Sequence, residues 1–219
     1  MSQFERPNIA KMQGYTSGEQ PQDGRRIKLN TNENPYPPSP HVAAALKAFA
    51  SDQLRVYPQP DARALRQAIA DHHEVSVDSV VITHAGDEAL RLAVTTFVAP
   101  GGVVASTEPT YSLYPVLAQI QDARMFTLDL DDDWSLPNDF ASKVSTAGAQ
   151  LTCVVNPHAP SGYLNNIPTL QGLAEQLEGV LLVDEAYADF VDVDEPSSMA
   201  SLVSEHENLL VLRTFSKGY

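Results

Sequence analysis

The chain has 219 residues, with 28 Asp and Glu against 14 Lys and Arg, and a formal charge of −14. Its 43% hydrophobic content is too high for an acidic disordered chain, and its length suits one large α/β domain, or one domain with part of another. The charge disfavours nucleic acid and anionic lipid as partners, and no apolar run approaches the roughly 18 residues needed to cross a bilayer. The start, Met1-Ser2-Gln3-Phe4-Glu5-Arg6, lacks a secretory pattern, and the single cysteine, Cys153, permits no internal disulfide, so a cytoplasmic setting is expected.

Residues 1–38 are rich in Pro, Gly, Asn and Gln and read as an extended arm. Ser39-Pro40 predicts a capped helix start, followed by Val42, Ala45, Leu46, Phe49 and Ala50 at helical spacing. Asp61 is expected to cap a second helix with Leu65, Ala68 and Ile69 inward and His72 and His73 in its last turn. Strands are predicted at 80–83, 103–106, 125–128, 151–155, 180–183 and 209–212. Between them lie helices carrying Leu90, Ala93, Val94, Phe97 and Val98, then Leu113, Val116, Leu117 and Ile120, and one opening at Pro168 with Leu170, Leu173, Ala174 and Leu177 inward. Apolar strands alternating with amphipathic helices indicate an α/β fold with a mostly parallel sheet covered on both faces. Asp129, Asp131, Asp132 and Asp133 read as a solvated loop, Trp134 as a loop cover, and Cys153 as a core residue.

Ligands of such sheets bind beyond the carboxyl ends of the strands. After 80–83 comes His84-Ala85-Gly86-Asp87-Glu88, a turn into a helix whose free N–H groups suit a phosphate or a simple Asp cap. After 103–106, Tyr111 is placed to stack on a planar ligand or to sit at the core edge. Asp184 ends an apolar strand, where burial is costly without a cation or several donors, and Tyr187 follows three residues later. After 209–212, Arg213-Thr214-Phe215-Ser216 leads to Lys217, either a surface residue or an amine activated by low-polarity, cation-lined surroundings. A phosphate turn, a stacking ring, a buried acid and a lysine at successive strand ends together describe a pyridoxal-phosphate site.

The sequence resembles the class I/II aminotransferases of the aspartate-aminotransferase-like fold (the type I fold of pyridoxal-phosphate enzymes), and within them the histidinol-phosphate aminotransferase group. The matching stretches are Leu29-Asn30-Thr31-Asn32-Glu33-Asn34-Pro35, Tyr57-Pro58, Gly86-Asp87-Glu88, Pro109-Thr110-Tyr111, Asp184-Glu185-Ala186-Tyr187 and Arg213-Thr214-Phe215-Ser216-Lys217. The resemblance implies that Lys217 carries pyridoxal 5'-phosphate as a Schiff base and then shuttles the proton, while Asp184 pairs with the ring nitrogen. It implies that Tyr187 donates to the ring oxygen, that Tyr111 stacks on the ring, and that Gly86, Asp87, Thr214 and Ser216 hold the phosphate. Tyr57 is implied to reach the neighbouring subunit's site in a homodimer. The substrates implied are histidinol phosphate and a 2-oxo acid of the 2-oxoglutarate type. Aromatic or broad amino-acid aminotransferases and a threonine-phosphate decarboxylase share most of these motifs. A non-catalytic protein that kept the cofactor pocket is the reading from a different class.

Two departures stand out. The family's loop reads Asn-Pro-Asn-Asn-Pro-Thr-Gly, and here it is Asn156-Pro157-His158-Ala159-Pro160-Ser161-Gly162, so Ala159 stands where an asparagine would reach the ring oxygen. Either Tyr187 acts alone, or Asn156 or His158 compensates. Family members also continue past the lysine, through a further strand inside the sheet and a C-terminal small domain. The expectation is therefore residues 1–38 as an arm and 39–219 as a partial large domain, with the N-terminal part of the small domain near 39–75, in a fragment weak or inactive as a transaminase.

Overall fold

Short strands rich in Val, Leu and Ile, buried on both faces, are stable in a sheet that is covered on both sides. β-Strands of this kind, with one more exposed strand at the edge, form a five-stranded sheet in the computed structural model, which describes residues 3–15, 18–21, 26–192 and 197–219. They are β1 (Val103–Glu108), β2 (Arg124–Asp129), β3 (Leu151–Val155), β4 (Val180–Asp184) and β5 (Leu209–Leu212). All pairings are parallel, in the order β2-β1-β3-β4-β5. The chain crosses from one side of β1 to the other between β2 and β3, which puts a crevice at the carboxyl ends of β1 and β3.

The helices are α1 (Pro7–Lys11), α2 (Pro40–Ala48), α3 (Arg63–His73), α4 (Ala85–Phe97), α5 (Leu113–Ile120), α6 (Phe140–Thr146), α7 (Ile167–Gln176) and α8 (Phe215–Gly218). One apolar layer joins Phe140 and Val144 of α6 and Leu170 and Leu173 of α7 to Leu181 and Val183. The other joins Leu90 and Val94 of α4 and Leu113, Tyr114 and Leu117 of α5 to Cys153 and Leu182. Leu181 and Leu182 fall in opposite layers because successive side chains of a strand alternate. Gly179 enters β4 where an added Cβ would lie 2.4 Å from the Ala149 carbonyl oxygen, so only glycine lets the two segments meet.

The strand expected at 80–83 is not part of the sheet. Val80 closes a turn onto the Val77 carbonyl, and Val81 is 77% exposed. Among the described residues this stretch has no neighbour to pair with, and an apolar run without a ladder partner cannot become a strand. The Asp61 cap is also corrected: α3 begins after Ala62 in left-handed conformation, and Asp61 instead pairs with Arg66 at 3.3 Å. Ala70 alone of α3 is buried, and Leu65 is 40% exposed. His72 and His73 do end α3, but burial, then Arg213 and His72, lower the His73 pKa and oppose the charge that a helix end favours. Ser39 caps α2 as expected, accepting from the His41 N–H, yet no residue of α2 is buried. The short α6 was not anticipated, since Ser142, Ser145 and Thr146 obscure its apolar stripe of Phe140, Ala141 and Val144. No helix among the described residues is long and apolar enough to cross a membrane.

Candidate active site

The carboxyl ends of β1, β3, β4 and β5 bring most of the singled-out side chains to one side of the sheet. Asp184 closes β4 and is 5% exposed. Its Oδ2 accepts from the Tyr114 hydroxyl at 2.7 Å and its Oδ1 from the Ala186 N–H at 3.1 Å. Burial raises its pKa, those two donors oppose the rise, and Asp87 adds to it. Among the described residues no cation pairs with it, so the site holds a buried acid bonded only by neutral groups.

The next residue, Glu185, is fully buried and ties the neighbouring strand end in place. Its carboxylate accepts from Met199 N–H (2.6 Å), Ser198 Oγ (2.7 Å) and Arg213 Nη1 (3.2 Å), and Arg213 Nη2 reaches Asp189 at 2.6 Å. Arg213 directly follows β5, so this pair fixes the turn that leads to Lys217. Thr214 caps α8, accepting from Ser216 N–H at 3.1 Å, and its hydroxyl donates to Ser216 Oγ at 2.9 Å.

Lys217 is half-buried and donates to the Thr31 carbonyl at 2.8 Å. Its surroundings are not lined with cations alone: the Glu33 carboxylate lies close enough to feel its charge, although Lys28 is the larger influence on Glu33. Asn32, the next arm residue, donates to the Tyr187 hydroxyl at 2.8 Å. The arm therefore touches both Lys217 and Tyr187, and Tyr187 stands three residues beyond Asp184. A cleft of about 660 Å³ opens beside them, walled by Asn32, Glu33, His158, Leu164, Tyr187 and Phe190. Asp184, Tyr111 and Lys217 are not among its lining residues, which do include Tyr187 and its partner Asn32.

Gly86 and Asp87 lie in the first turn of α4, whose start packs on the end of β5, Gly86 against Leu212. Tyr111 donates to Asp87 Oδ1 at 3.2 Å, and its ring meets Tyr114 edge-on at 5.8 Å. Burial, then the Asp87 charge and Tyr15, push the Tyr111 phenol pKa well up and keep it neutral. Tyr57 is 99% exposed.

The 156–162 loop is held by hydrogen bonds of its own side chains. Asn156 is fully buried, and its amide is engaged with Asn165, accepting from N–H at 2.8 Å and donating to the carbonyl at 3.2 Å. His158, 4% exposed, meets the Pro109 carbonyl through Nε2 at 3.0 Å and Ser161 Oγ through Nδ1 at 2.7 Å. A carbonyl only accepts, so Nε2 carries the proton and Ser161 donates to Nδ1. The Trp134 ring lies 5.9 Å from this ring, tilted by 30°, and through its two hydrogen bonds His158 clamps the turn before Tyr111 to the loop across the β1/β3 crevice. The residues that sequence reasoning missed are Thr31, Asn32, Tyr114 and the roles of Glu185 and Arg213. The last two carried a legible signal, since each is a charge directly after an apolar strand.

A buried acid and a lysine at adjacent ends of a parallel sheet, beside a glycine-containing helix start, define the class. The chain belongs to the aminotransferase class I and II family, whose model matches residues 25–219. It is 39% identical over 215 residues to a histidinol-phosphate aminotransferase of Geotalea daltonii, covering 98% of this chain and 60% of that protein. It is 42% identical to another of that name from Clostridium botulinum, covering 96% of this chain and 58% of the relative. The crystal structure of the Sinorhizobium meliloti histidinol-phosphate aminotransferase in complex with pyridoxal-5'-phosphate superposes with a TM-score of 0.87 at 26% identity, covering 99% of this chain and 60% of that one. The fold is thus aspartate-aminotransferase-like, and the chain spans about 60% of the length of the relatives it matches.

Proposed function

We propose that this chain carries the pyridoxal-phosphate-binding part of an aminotransferase that moves the amino group of histidinol phosphate to a 2-oxo acid of the 2-oxoglutarate type. The observation that carries the reading is Asp184, a buried acid with only neutral donors, at the sheet end that also presents Lys217 and Tyr187. The fit is chemical: a pyridinium nitrogen would supply the charge that such an acid lacks, and the Thr214–Ser216 hydroxyl pair, which follows the β5 end against which Gly86 of α4 packs, suits a phosphate. Pyridoxal phosphate, when bound, supplies an aldehyde and an electron-withdrawing ring.

In this reading Lys217, released from its bond to Thr31, would hold the cofactor through its ε-amine and would serve as the base for the proton at the substrate carbon. Asp184 would keep the ring nitrogen charged, and Tyr111 would cover the ring. Tyr187 would donate to the ring oxygen, with Asn32 donating to Tyr187. The Gly86 and Asp87 N–H groups, Thr214 and Ser216 would hold the phosphate. Asn156, oriented by Asn165, keeps one amide N–H that would be the second donor to the ring oxygen.

We further propose a homodimer in which Tyr57 reaches the neighbouring site. The unburied α2 and the exposed Val42, Leu46 and Phe49 support it. Among the described residues no strand pairs with the outer edge of β5, which supports weak or absent turnover by the 219-residue chain alone, and a steady-state assay showing full turnover by this chain would overturn that part.

Incubation with pyridoxal phosphate, then borohydride and peptide mass spectrometry, tests the central claim. The expected product is one adduct on Lys217, absent from Lys217→Ala. Labelling elsewhere, or none, would overturn the reading. Conversion of the bound cofactor to its amine form by histidinol phosphate, but not by phenylalanine, would support the named donor, and the reverse preference would replace it.

A further inference from the structure

We propose that Tyr114 is a positioning residue: its hydroxyl, donating to Asp184 Oδ2, holds that carboxylate ionised for the ring nitrogen of a bound pyridine cofactor. This rests on the function proposed above, and adds to it a residue three positions after Tyr111.

Tyr114 lies on α5, is 1% exposed, and forms a 2.7 Å bond that runs from the helix layer to the end of β4. A buried phenol needs one hydrogen-bond partner, and Asp184 is that partner. The groups facing the acid from every packed element are Tyr114 on α5, Cys153 on β3, Asp87 at the start of α4 and the Ala186 N–H. Burial and Asp87 favour the neutral acid, whereas Tyr114 and Ala186 favour the anion, and Tyr114 is the opposing side chain among them. An ionised carboxylate offers about four acceptor positions, so these two bonds leave room for a further donor.

The ring of Tyr114 fills the second apolar layer, a task phenylalanine performs equally well. The hydroxyl is separable from that packing, and its contribution is electrostatic. A bound ring nitrogen would compete with the acid for one proton. A donor on the acid stabilises its charged form and would leave that proton on nitrogen, where it would make the ring an electron sink.

The first test needs no cofactor. Infrared difference titration of carbon-13 aspartate in the full 219-residue chain, with Asp184→Asn to assign the band, reads the Asp184 proton directly. Tyr114→Phe is expected to move its midpoint up by about one to two pH units. Incorporation of 3-fluorotyrosine, a stronger donor, moves it down, and keeps the inference testable even if the phenylalanine variant fails to fold. In chains loaded with pyridoxal phosphate, the pH midpoint of the cofactor absorbance change moves up in Tyr114→Phe, because a ring with less positive charge releases its neighbouring proton later. An unmoved Asp184 midpoint in both variants, whatever happens to melting temperature, makes Tyr114 a packing residue and overturns the inference. A wild-type chain that takes up no cofactor, while the Asp184 midpoint still shifts, overturns the cofactor reading and leaves the hydrogen-bond half standing.

Discussion

The described residues after α3 and those up to its end are built on different principles. From α4 onward two apolar layers sandwich five strands, and Leu181, Val183, Leu151 and Leu170 are inaccessible to water. Before that point Ala70 is the buried apolar residue, and Ile27, Leu29, Val42, Leu46, Leu54 and Val56 stand open. Yet the thinly packed part supplies Thr31 and Asn32, which touch Lys217 and Tyr187. Stability and site assembly thus come from separate places. The sheet holds the charged groups at fixed spacing, and the arm closes over them with hydrogen bonds that bury little.

The largest test of that division is Asp184. Removing it as Asp184→Ala leaves a ring cation unpaired in a buried position, and pyridoxal-phosphate affinity should fall roughly 10²–10³-fold, read from quenching of Trp134. Stability should move the other way. The folded pKa of Asp184 lies above the ordinary aspartate value of 3.8, so between the two the folded chain binds more protons than the unfolded one. Its contribution to stability therefore falls as pH rises from 3.8 through the folded pKa, and Glu185, also raised by burial, acts with the same sign. Asp184→Asn removes the Asp184 part, so the melting temperature of the cofactor-free variant should gain on wild type as pH rises. A constant gap would mean that Asp184 is not held as a strained anion.

Within the sheet, Leu181→Ala should cost about 2–5 kcal/mol in denaturant unfolding, because Leu181 is fully buried between β3 and β5 and its removal leaves a cavity. A loss well below that range would mean that the layer can collapse around the gap, and the contrast with the arm would weaken.

The sheet was legible because its evidence is local: 180–183 and 209–212 are apolar throughout, 103–106 and 151–155 are interrupted only by Ser106 and Thr152, and each meets a neighbour. The stretch 80–83 reads the same way, but a strand is a pairing, and composition does not report a partner. Asp184 and Lys217 stood out as charges following apolar runs. Tyr114 did not, since a tyrosine three residues after Tyr111 fits the inner face of any amphipathic helix, and only the fold brings its hydroxyl to β4. Thr31 and Asn32 lie in an aperiodic arm, and the Lys217 bond uses a backbone carbonyl, which no side-chain pattern encodes. His158 looked like a loop residue or a ring ligand; it is a bracket, with both ring nitrogens committed to loop atoms.

Asn32→Ala isolates what the arm adds. The bond to Tyr187 joins exposed groups, so unfolding stability should stay within about 0.5 kcal/mol of wild type. Trapping of cofactor on Lys217 should slow by about 2- to 10-fold, the range of one ordinary hydrogen bond. Unchanged trapping with lowered stability would assign Asn32 to the fold instead of the site.

The smallest expected effect is the most diagnostic for α2. Leu46 is 73% exposed, on a helix with no buried residue, and Leu46→Ala keeps helix propensity high while deleting apolar surface already in water. In dilute solution its unfolding free energy should differ from wild type by no more than about 0.5 kcal/mol. If a second copy covers this face, the wild-type melting temperature rises with protein concentration and the Leu46→Ala deficit grows with it, because association stabilises only the folded chain. A deficit near 2 kcal/mol that ignores concentration would place Leu46 in contact with its own chain, and the division between a packed sheet and an open N-terminal part would have to be redrawn.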